Sequence, residues 1–200
     1  MELDWHRLLD ILFPPSPDER TLREFTGATF VSKYAPQHLN GITALSSFAD
    51  PQVRAAIHLA KFHRNRRAMR LLASLLSHHI AALPPLPYTL MPVALSPSRL
   101  HARGYNQVAE VLAYAALPER VRTDAHSLSK ADRPPQTDLS REGRLANQRG
   151  AFSLPDVRAC KDRHVLLIDD VVTTGATLRA AAEAVALGEP LSLTLLALAH

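Results

Sequence analysis

His164-Val-Leu-Leu-Ile-Asp-Asp-Val-Val-Thr-Thr-Gly-Ala-Thr177 is the stretch that decides how this chain folds. Val165 to Ile168 form a short apolar run of the kind expected for a strand covered on both faces of a parallel sheet. From Ala176 onward the composition turns to Ala, Leu, Arg and Glu, which are strong helix formers, and Gly188 is the expected stop. The strand therefore delivers an acidic pair, Asp169 and Asp170, into a hydroxyl-rich turn that opens a helix. Free backbone N–H groups and the positive end of the helix dipole favour an anion at such a turn. Thr173, Thr174 and Thr177 add hydroxyl donors, and Gly175 lets the backbone approach closely. Adjacent strand side chains point to opposite faces, so Asp169 and Asp170 are expected to do different jobs, one toward a ligand and the other toward the turn.

Outward from this stretch the pattern alternates between strand and helix. Leu191 to Leu198 reads as a final strand. Before the stretch, Asp132 to Arg149 is rich in Pro, Gln, Ser, Arg and Asn without an apolar period, a long polar connection of the kind that is functional or mobile. Earlier still come a buried strand at Tyr88 to Ala94, a basic loop at Pro97 to Arg103, a short helix at Asn106 to Ala116 and a strand at Val121 to Asp124. Asp50-Pro51 marks a helix start, with Asp50 as N-cap and Pro51 at the first helical position. Val53, Ile57 and Ala60 fall on one face and Met69, Leu72, Leu76 and Ile80 on another, which gives two helices or one interrupted near Arg64-Asn65. Leu83-Pro-Pro-Leu-Pro87 ends that region because proline cannot continue the hydrogen-bond ladder. Residues 1–50 are irregular, with Thr29 to Val31 and Ile42 to Phe48 as candidate strands. The expectation is an α/β domain over residues 51–200, with a mostly parallel sheet flanked by helices, and a small N-terminal region over residues 1–50.

Composition bounds the function. Of 200 residues 46% are hydrophobic, enough for a real core, which excludes a chain disordered throughout. The opening Met1-Glu-Leu-Asp lacks a basic n-region, the apolar run Leu8 to Phe13 is too short for a secretory core, and no segment approaches the roughly 20 apolar residues of a membrane span. A soluble cytoplasmic protein without membrane insertion is expected. Cys160 is the single cysteine, so an internal disulfide and a four-cysteine zinc site are both excluded. The formal charge of +4 suits polyphosphate ligands and is compatible with nucleic acid. Lys61, Arg64, Arg66, Arg67 and Arg70 lie in a segment with no acidic residue, either a solvated helix face or a nucleic-acid contact.

The acidic pair, two apolar residues and Thr-Thr-Gly-x-Thr closely resemble the phosphoribosyl pyrophosphate (PRPP) signature of type I phosphoribosyltransferases, whereas neither Gly-x-x-x-x-Gly-Lys-Thr nor Gly-x-Gly-x-x-Gly is present. The resemblance implies that Thr173, Thr174, Gly175, Ala176 and Thr177 hold the 5′-phosphate. Asp169 and Asp170 would face the ribose as the catalytic carboxylates, and Mg2+ would arrive on the substrate. Two flanking segments narrow the family. His101-Ala-Arg-Gly-Tyr-Asn-Gln107 and the run from Gln136 through Arg141, Arg144, Asn147 and Gly150 to Phe152, together with Lys61-Phe62-His63, are similar to elements of the ComF/GntX-type phosphoribosyltransferase-like proteins. That family is associated with late competence and DNA uptake. The similarity spans roughly residues 50–200. Many members begin with a four-cysteine zinc module. Here no cysteine precedes position 160, so the module is either lost or kept as an outline without metal, and no zinc is expected.

The residues of these segments fit that chemistry. Arg99, Arg103, Arg141, Arg144 and Arg149 lie in loops that an α/β sheet gathers beyond the carboxyl ends of its strands, and guanidinium forks suit diphosphate oxygens. Ala94 to Arg99 takes the place of the family's pyrophosphate loop. Asn106, Gln107, Gln136 and Asn147 either read a base or fix the loops, and Tyr105 either stacks on a base or packs in the core. Three functions follow as expectations: transfer of phosphoribosyl from PRPP to an acceptor, a non-catalytic PRPP sensor in the competence machinery that binds single-stranded DNA through Lys61, Arg64, Arg66 and Arg67, and nucleobase salvage. An oligomer is compatible with each.

Overall fold

The computed structural model of the protein describes residues 14–132 and 150–200. The described residues begin with two short helices, α1 (Pro17–Leu22) and α2 (Gly27–Phe30). Thr29 to Val31, expected as a strand, is helical here. Thr26 caps α2 through the Thr29 N–H and drives Phe30, fully buried, into the core, so local capping and burial override the β-branched composition. The hairpin β1 (Gln37–Leu39) and β2 (Ile42–Ala44) follows, turning through Asn40 and Gly41 at φ 49° and 81°. These positive angles at both central residues are those of a type I′ turn, the two-residue connection whose twist matches that of its strands. The expected strand to Phe48 stops at Ala44.

Next come α3 (Pro51–Phe62) and α4 (Arg66–Ala81). The break expected near Arg64-Asn65 is present, with Arg64 at φ 47° and the Asn65 side chain accepting from Ala68 N–H. Asp50 likewise accepts from the Gln52 and Val53 N–H groups, each such cap being worth about 1 kcal/mol. Strand β3 (Tyr88–Pro92) leads to α5 (Pro97–Arg103) and α6 (Gln107–Tyr114). The stretch read as a basic loop is thus a helix. Pro97 starts it and Gly104, at φ 81°, ends it. Its absence of apolar period reflects its position on the surface, where no buried stripe is required. Strands β4 (Val121–Thr123), β5 (Ser129–Lys130), β6 (Phe152–Ser153) and β7 (His164–Val171), helix α7 (Ala176–Ala186) and strand β8 (Ser192–Ala199) complete the chain.

Six strands form one sheet in the order β1-β2-β8-β7-β3-β4, parallel except for the β1–β2 pair. Strands β5 and β6 make a separate antiparallel hairpin. Helices α3, α4 and α6 cover one face of the sheet over Leu90, Leu166 and Ile168. Helix α7 and the β5–β6 hairpin cover the other over Met91, Val165 and Leu167. Strand β7 lies at the centre with Val165 to Ile168 all at or below 1% exposure, which is why it reads as a continuous apolar run. Connections leave β3 toward β4 on one side and β7 toward β8 on the other. The crevice beyond the carboxyl ends of β3 and β7 is therefore a topological switch point, the place where open α/β sheets hold ligands.

Candidate functional site

At that crevice β7 ends and splits its two carboxylates between the faces of the sheet. Asp170 continues the row of Leu166 and Ile168 and is 6% exposed. Its Oδ2 accepts from Lys61 Nζ at 2.9 Å and from Gln107 Nε2 at 2.8 Å, and its Oδ1 from the Val171 N–H at 2.7 Å. Burial alone would raise its pKa, but the Lys61 charge, with the hydrogen bonds from Lys61, Val171 and Gln107, outweighs it and holds the carboxyl below its ordinary range. Asp169 continues the opposite row. There, burial first and the Asp170 charge second push its pKa up to about 7. It lines a cradle of about 40 Å3 with Val172, Thr173, Thr174, Gly175 and Thr177.

The cradle is the N-terminus of α7. Gly175 stands at its N-cap with φ 73° and supplies no capping side chain, whereas Asp50, Asn65 and Asn106 cap α3, α4 and α6 with side-chain oxygens. Apart from a long 3.4 Å bond from the Ala176 N–H to Thr174 Oγ1, the first turn of α7 keeps backbone donors beside the cradle, the arrangement that favours an anion. Glycine is required twice at position 175. The backbone is left-handed, and a Cβ would stand 2.3 Å from Ile42 Cδ1 on β2 and 2.7 Å from Arg179 Nη1. Thr173 and Thr174 are exposed and Ala176 and Thr177 half-buried, with Arg179 Nη1 donating to the Thr174 carbonyl from the next turn.

The loop after β3 meets this site from the other side. Arg99 on α5 is exposed, while the Arg103 guanidinium donates to Gln107 Oε1. Gln107 is 6% exposed with both ends of its amide engaged, so it links Arg103 to Asp170 and fixes the loops. Asn106 caps α6 and donates to the Val93 carbonyl. Tyr105 packs, its hydroxyl donating to the Ala60 carbonyl and accepting from the Arg64 N–H. Arg141, Arg144, Arg149, Gln136 and Asn147 lie outside the described residues.

The basic run is largely taken up by the fold. Lys61 goes to Asp170, Arg64 Nη2 to Glu110 Oε1 at 2.6 Å, and Arg67 to the carbonyls of Leu22 and Arg23 at the end of α1 and of Phe25 just beyond it. Arg66 remains exposed.

Three groups at the site escaped the sequence reading. Lys130 on β5 sits over the Phe152 ring at 4.7 Å. Its pKa is lowered by burial first and the Arg99 charge second, with Asp169 opposing both. Lys130 therefore brings an amine within electrostatic reach of both Arg99 and Asp169, and the short hairpin that carries it has no apolar period to announce it. His58 and Asp18 share a cleft of about 590 Å3 with Lys61, Phe62, Asp170 and Thr173. His58 lies one turn before the Lys61-Phe62 element, a signal available from helical spacing, but Asp18 has no local signature. Asp169 and Asp170 offer hard oxygen donors, yet among the described residues no group of three His, Cys, Asp or Glu is arranged to hold a metal. Carboxylate oxygens of this kind are hard donors that a divalent cation such as Mg2+ accepts.

Residues 108–199 match the family model described as phosphoribosyl transferase domain. The match runs from α6 to the end of β8 and so includes both carboxylates and the cradle. With the parallel sheet and its switch-point crevice, it makes this a type I phosphoribosyltransferase-like α/β fold and supports a phosphoribosyltransferase-type family. No curated protein matches the chain in sequence. Among solved structures it is similar to a hypoxanthine phosphoribosyltransferase from Staphylococcus aureus (12% identity, TM-score 0.43, covering 66% of this chain and 63% of that one). It is also similar to the allosteric regulatory enzyme of purine biosynthesis (13%, 0.44, 70% and 30%). A third is a hypoxanthine-guanine phosphoribosyltransferase from Bacillus anthracis (14%, 0.36, 66% and 63%). The chain spans less than two thirds of the length of each. Among the described residues no helix is long and apolar enough to cross a membrane.

Proposed function

We propose that this chain binds phosphoribosyl pyrophosphate, or a related ribose phosphate, with Mg2+ at the cradle that opens α7. The observation that carries the reading is the uncapped first turn behind Gly175, set against the side-chain caps of α3, α4 and α6. In this reading the 5′-phosphate takes the backbone donors of that turn and the hydroxyls of Thr173, Thr174 and Thr177. Asp169 and Asp170 face the ribose, where carboxylates accept from the 2′- and 3′-hydroxyls and oppose positive charge that develops at C1. Arg99 and Lys130 stand on the diphosphate side, joined by Arg103 through Gln107 and, in the resemblance, by Arg141 and Arg144. Mg2+ arriving with the substrate would supply countercharge to the diphosphate.

Isothermal titration with PRPP and Mg2+ tests the site. Each charge-assisted hydrogen bond contributes about 1.5–3 kcal/mol, so Asp170→Ala and Thr174→Ala are each expected to weaken binding at least tenfold. Absence of PRPP binding, or binding indifferent to both changes, overturns the reading.

The cleft beside Asp170 favours an acceptor, and hence transfer, over a sensor that only holds PRPP. Nucleobase salvage is one form of such transfer. The link to competence and DNA uptake rests on the resemblance of the Lys61–His63, His101–Gln107 and Gln136–Phe152 segments. Contact with single-stranded DNA has the weaker support, because Lys61, Arg64 and Arg67 are engaged within the fold. Single-strand affinity that falls in Arg64→Ala, Arg66→Ala and Arg67→Ala would restore that branch.

A further inference from the structure

The cleft of about 590 Å3 beside Asp170 has two kinds of wall. Phe48 and Phe62 bring aromatic surface, and Phe62 is 62% exposed, the largest share of any bulky hydrophobic near the site. Beside Phe62 stands an imidazole held by a carboxylate. His58 lies on the face of α3 that also carries Lys61 and Phe62, three and four residues on. Its Nδ1 is 2.7 Å from Asp18 Oδ2 on α1, and its ring lies 5.0 Å from that of Phe62 and 5.5 Å from that of His63. Helix α1 is itself held at both ends. A reciprocal Ser16–Glu19 capping box starts it, and Arg67 donates to the Leu22 and Arg23 carbonyls where it stops. The His58–Asp18 contact therefore joins two anchored elements.

An imidazole that donates its Nδ1–H to a carboxylate keeps the Nε2 lone pair as a base. The His58 side chain is 49% exposed and lines the cleft. One helical turn, about 5 Å of rise, separates it from Lys61, whose Nζ touches Asp170. The charged groups that share its surroundings are Asp18 of α1, Arg54, Lys61 and His63 of its own helix and the residue after it, and Asp170 across the cleft on β7.

We propose that His58 is the general base of an acceptor half-site, with Asp18 as its positioning residue and a planar nitrogen heterocycle as the ligand class. The inference rests on the ribose-phosphate reading of the cradle. The heterocycle lies against Phe62 and Phe48. Its ring nitrogen forms a bond to C1 of the ribose phosphate while the C1–O bond breaks and its electron pair leaves with the diphosphate. The N–H proton passes to His58 Nε2 and then to solvent, and Asp18 stabilises the imidazolium formed in between.

The test measures PRPP-dependent pyrophosphate release from pH 5 to 9 with hypoxanthine, guanine, adenine, uracil and orotate as probes, beside titration calorimetry of PRPP with Mg2+. At least one probe is expected to drive release. His58→Gln, which keeps a hydrogen-bond donor toward Asp18, is expected to lower kcat about 100-fold and to flatten the acid limb of the pH profile. PRPP affinity should stay within twofold, and added imidazole should restore activity to His58→Ala. Asp18→Asn is expected to lower kcat about tenfold and to shift the same limb. Release within threefold of wild type in His58→Gln overturns the dyad while leaving the ribose-phosphate site standing, as does a parallel loss of rate and PRPP affinity or the absence of release with every probe. A wild-type chain that binds no PRPP overturns both.

Discussion

Asp169 and Asp170 are neighbours in sequence and opposites in electrostatics. Asp170 is the more enclosed by direct contacts, with three donors on its two oxygens, and ionises readily. Asp169 has no ion-pair partner among the described residues and accepts only the Asp170 N–H there, and burial beside the Asp170 charge pushes it up to about 7. A one-residue step along a strand changes the face of the sheet, and the face decides which helices supply partners. The pair titrates jointly, so each carboxyl shapes the other's proton affinity. The consequence for function is a division of work. One carboxylate is already bound and ordered, and the other is available at the mouth of the cradle, where a ligand cation or hydroxyl can complete it.

The largest way to break this contrast is Lys61→Met, which leaves Asp170 without its cation. Removing one partner of a buried pair costs several kcal/mol. Because Lys61 is 29% exposed, about 2–4 kcal/mol is expected by urea denaturation at pH 7, with Lys61→Met combined with Asp170→Asn regaining at least half. Next is Gln107→Leu, which deletes a donor to Asp170 and is expected to cost about 1–2 kcal/mol while lowering PRPP affinity through the freed Arg103.

Asp169→Asn should act in the opposite direction. A carboxyl whose folded pKa is raised binds a proton in the folded state that the unfolded chain has already released. Its contribution is therefore most favourable at acid pH and is lost as pH rises from about 4 to about 7. The substitution removes that loss, so a gain on the order of 1–2 kcal/mol at pH 8, shrinking toward pH 4, is expected alongside weakened ligand binding. Asp170 carries the reverse slope, since its stabilisation is present above the ordinary carboxylate range and fades as pH falls below it. The smallest effect calibrates the rest. Glu110→Ala breaks the Arg64–Glu110 pair, whose Arg64 side chain is 62% exposed, and is expected to cost less than about 1 kcal/mol.

What the sequence made legible was local. Val165 to Ile168 read as a doubly covered strand, and Asp50-Pro51 and Asn106 read as helix starts, because burial on both faces and capping leave their mark within a few residues. The Thr173–Thr177 turn was legible for the same reason. The Asn40-Gly41 dipeptide carries a hairpin signal that goes with the β1–β2 turn, although the strands on either side of it are too short to show an alternating pattern. Pairings over long separations left no such trace. Nothing near Lys61 indicates that it meets Asp170, nothing near Lys130 indicates Asp169, and Asp18 becomes interesting only once α1 lies beside α3. Pro97 to Arg103 was misread because a surface helix of seven residues needs no apolar stripe.

Ile42 fills the space that a Cβ at Gly175 would take, and so links the hairpin at one edge of the sheet to the turn that opens α7. It makes the two positions epistatic. A library randomised at 175 alone should return glycine, both for the left-handed backbone and for the space Ile42 fills. Randomising 42 and 175 together separates these constraints: a smaller residue at 42 lifts the Ile42 collision, and whatever preference for glycine persists measures the left-handed backbone together with the approach of Arg179.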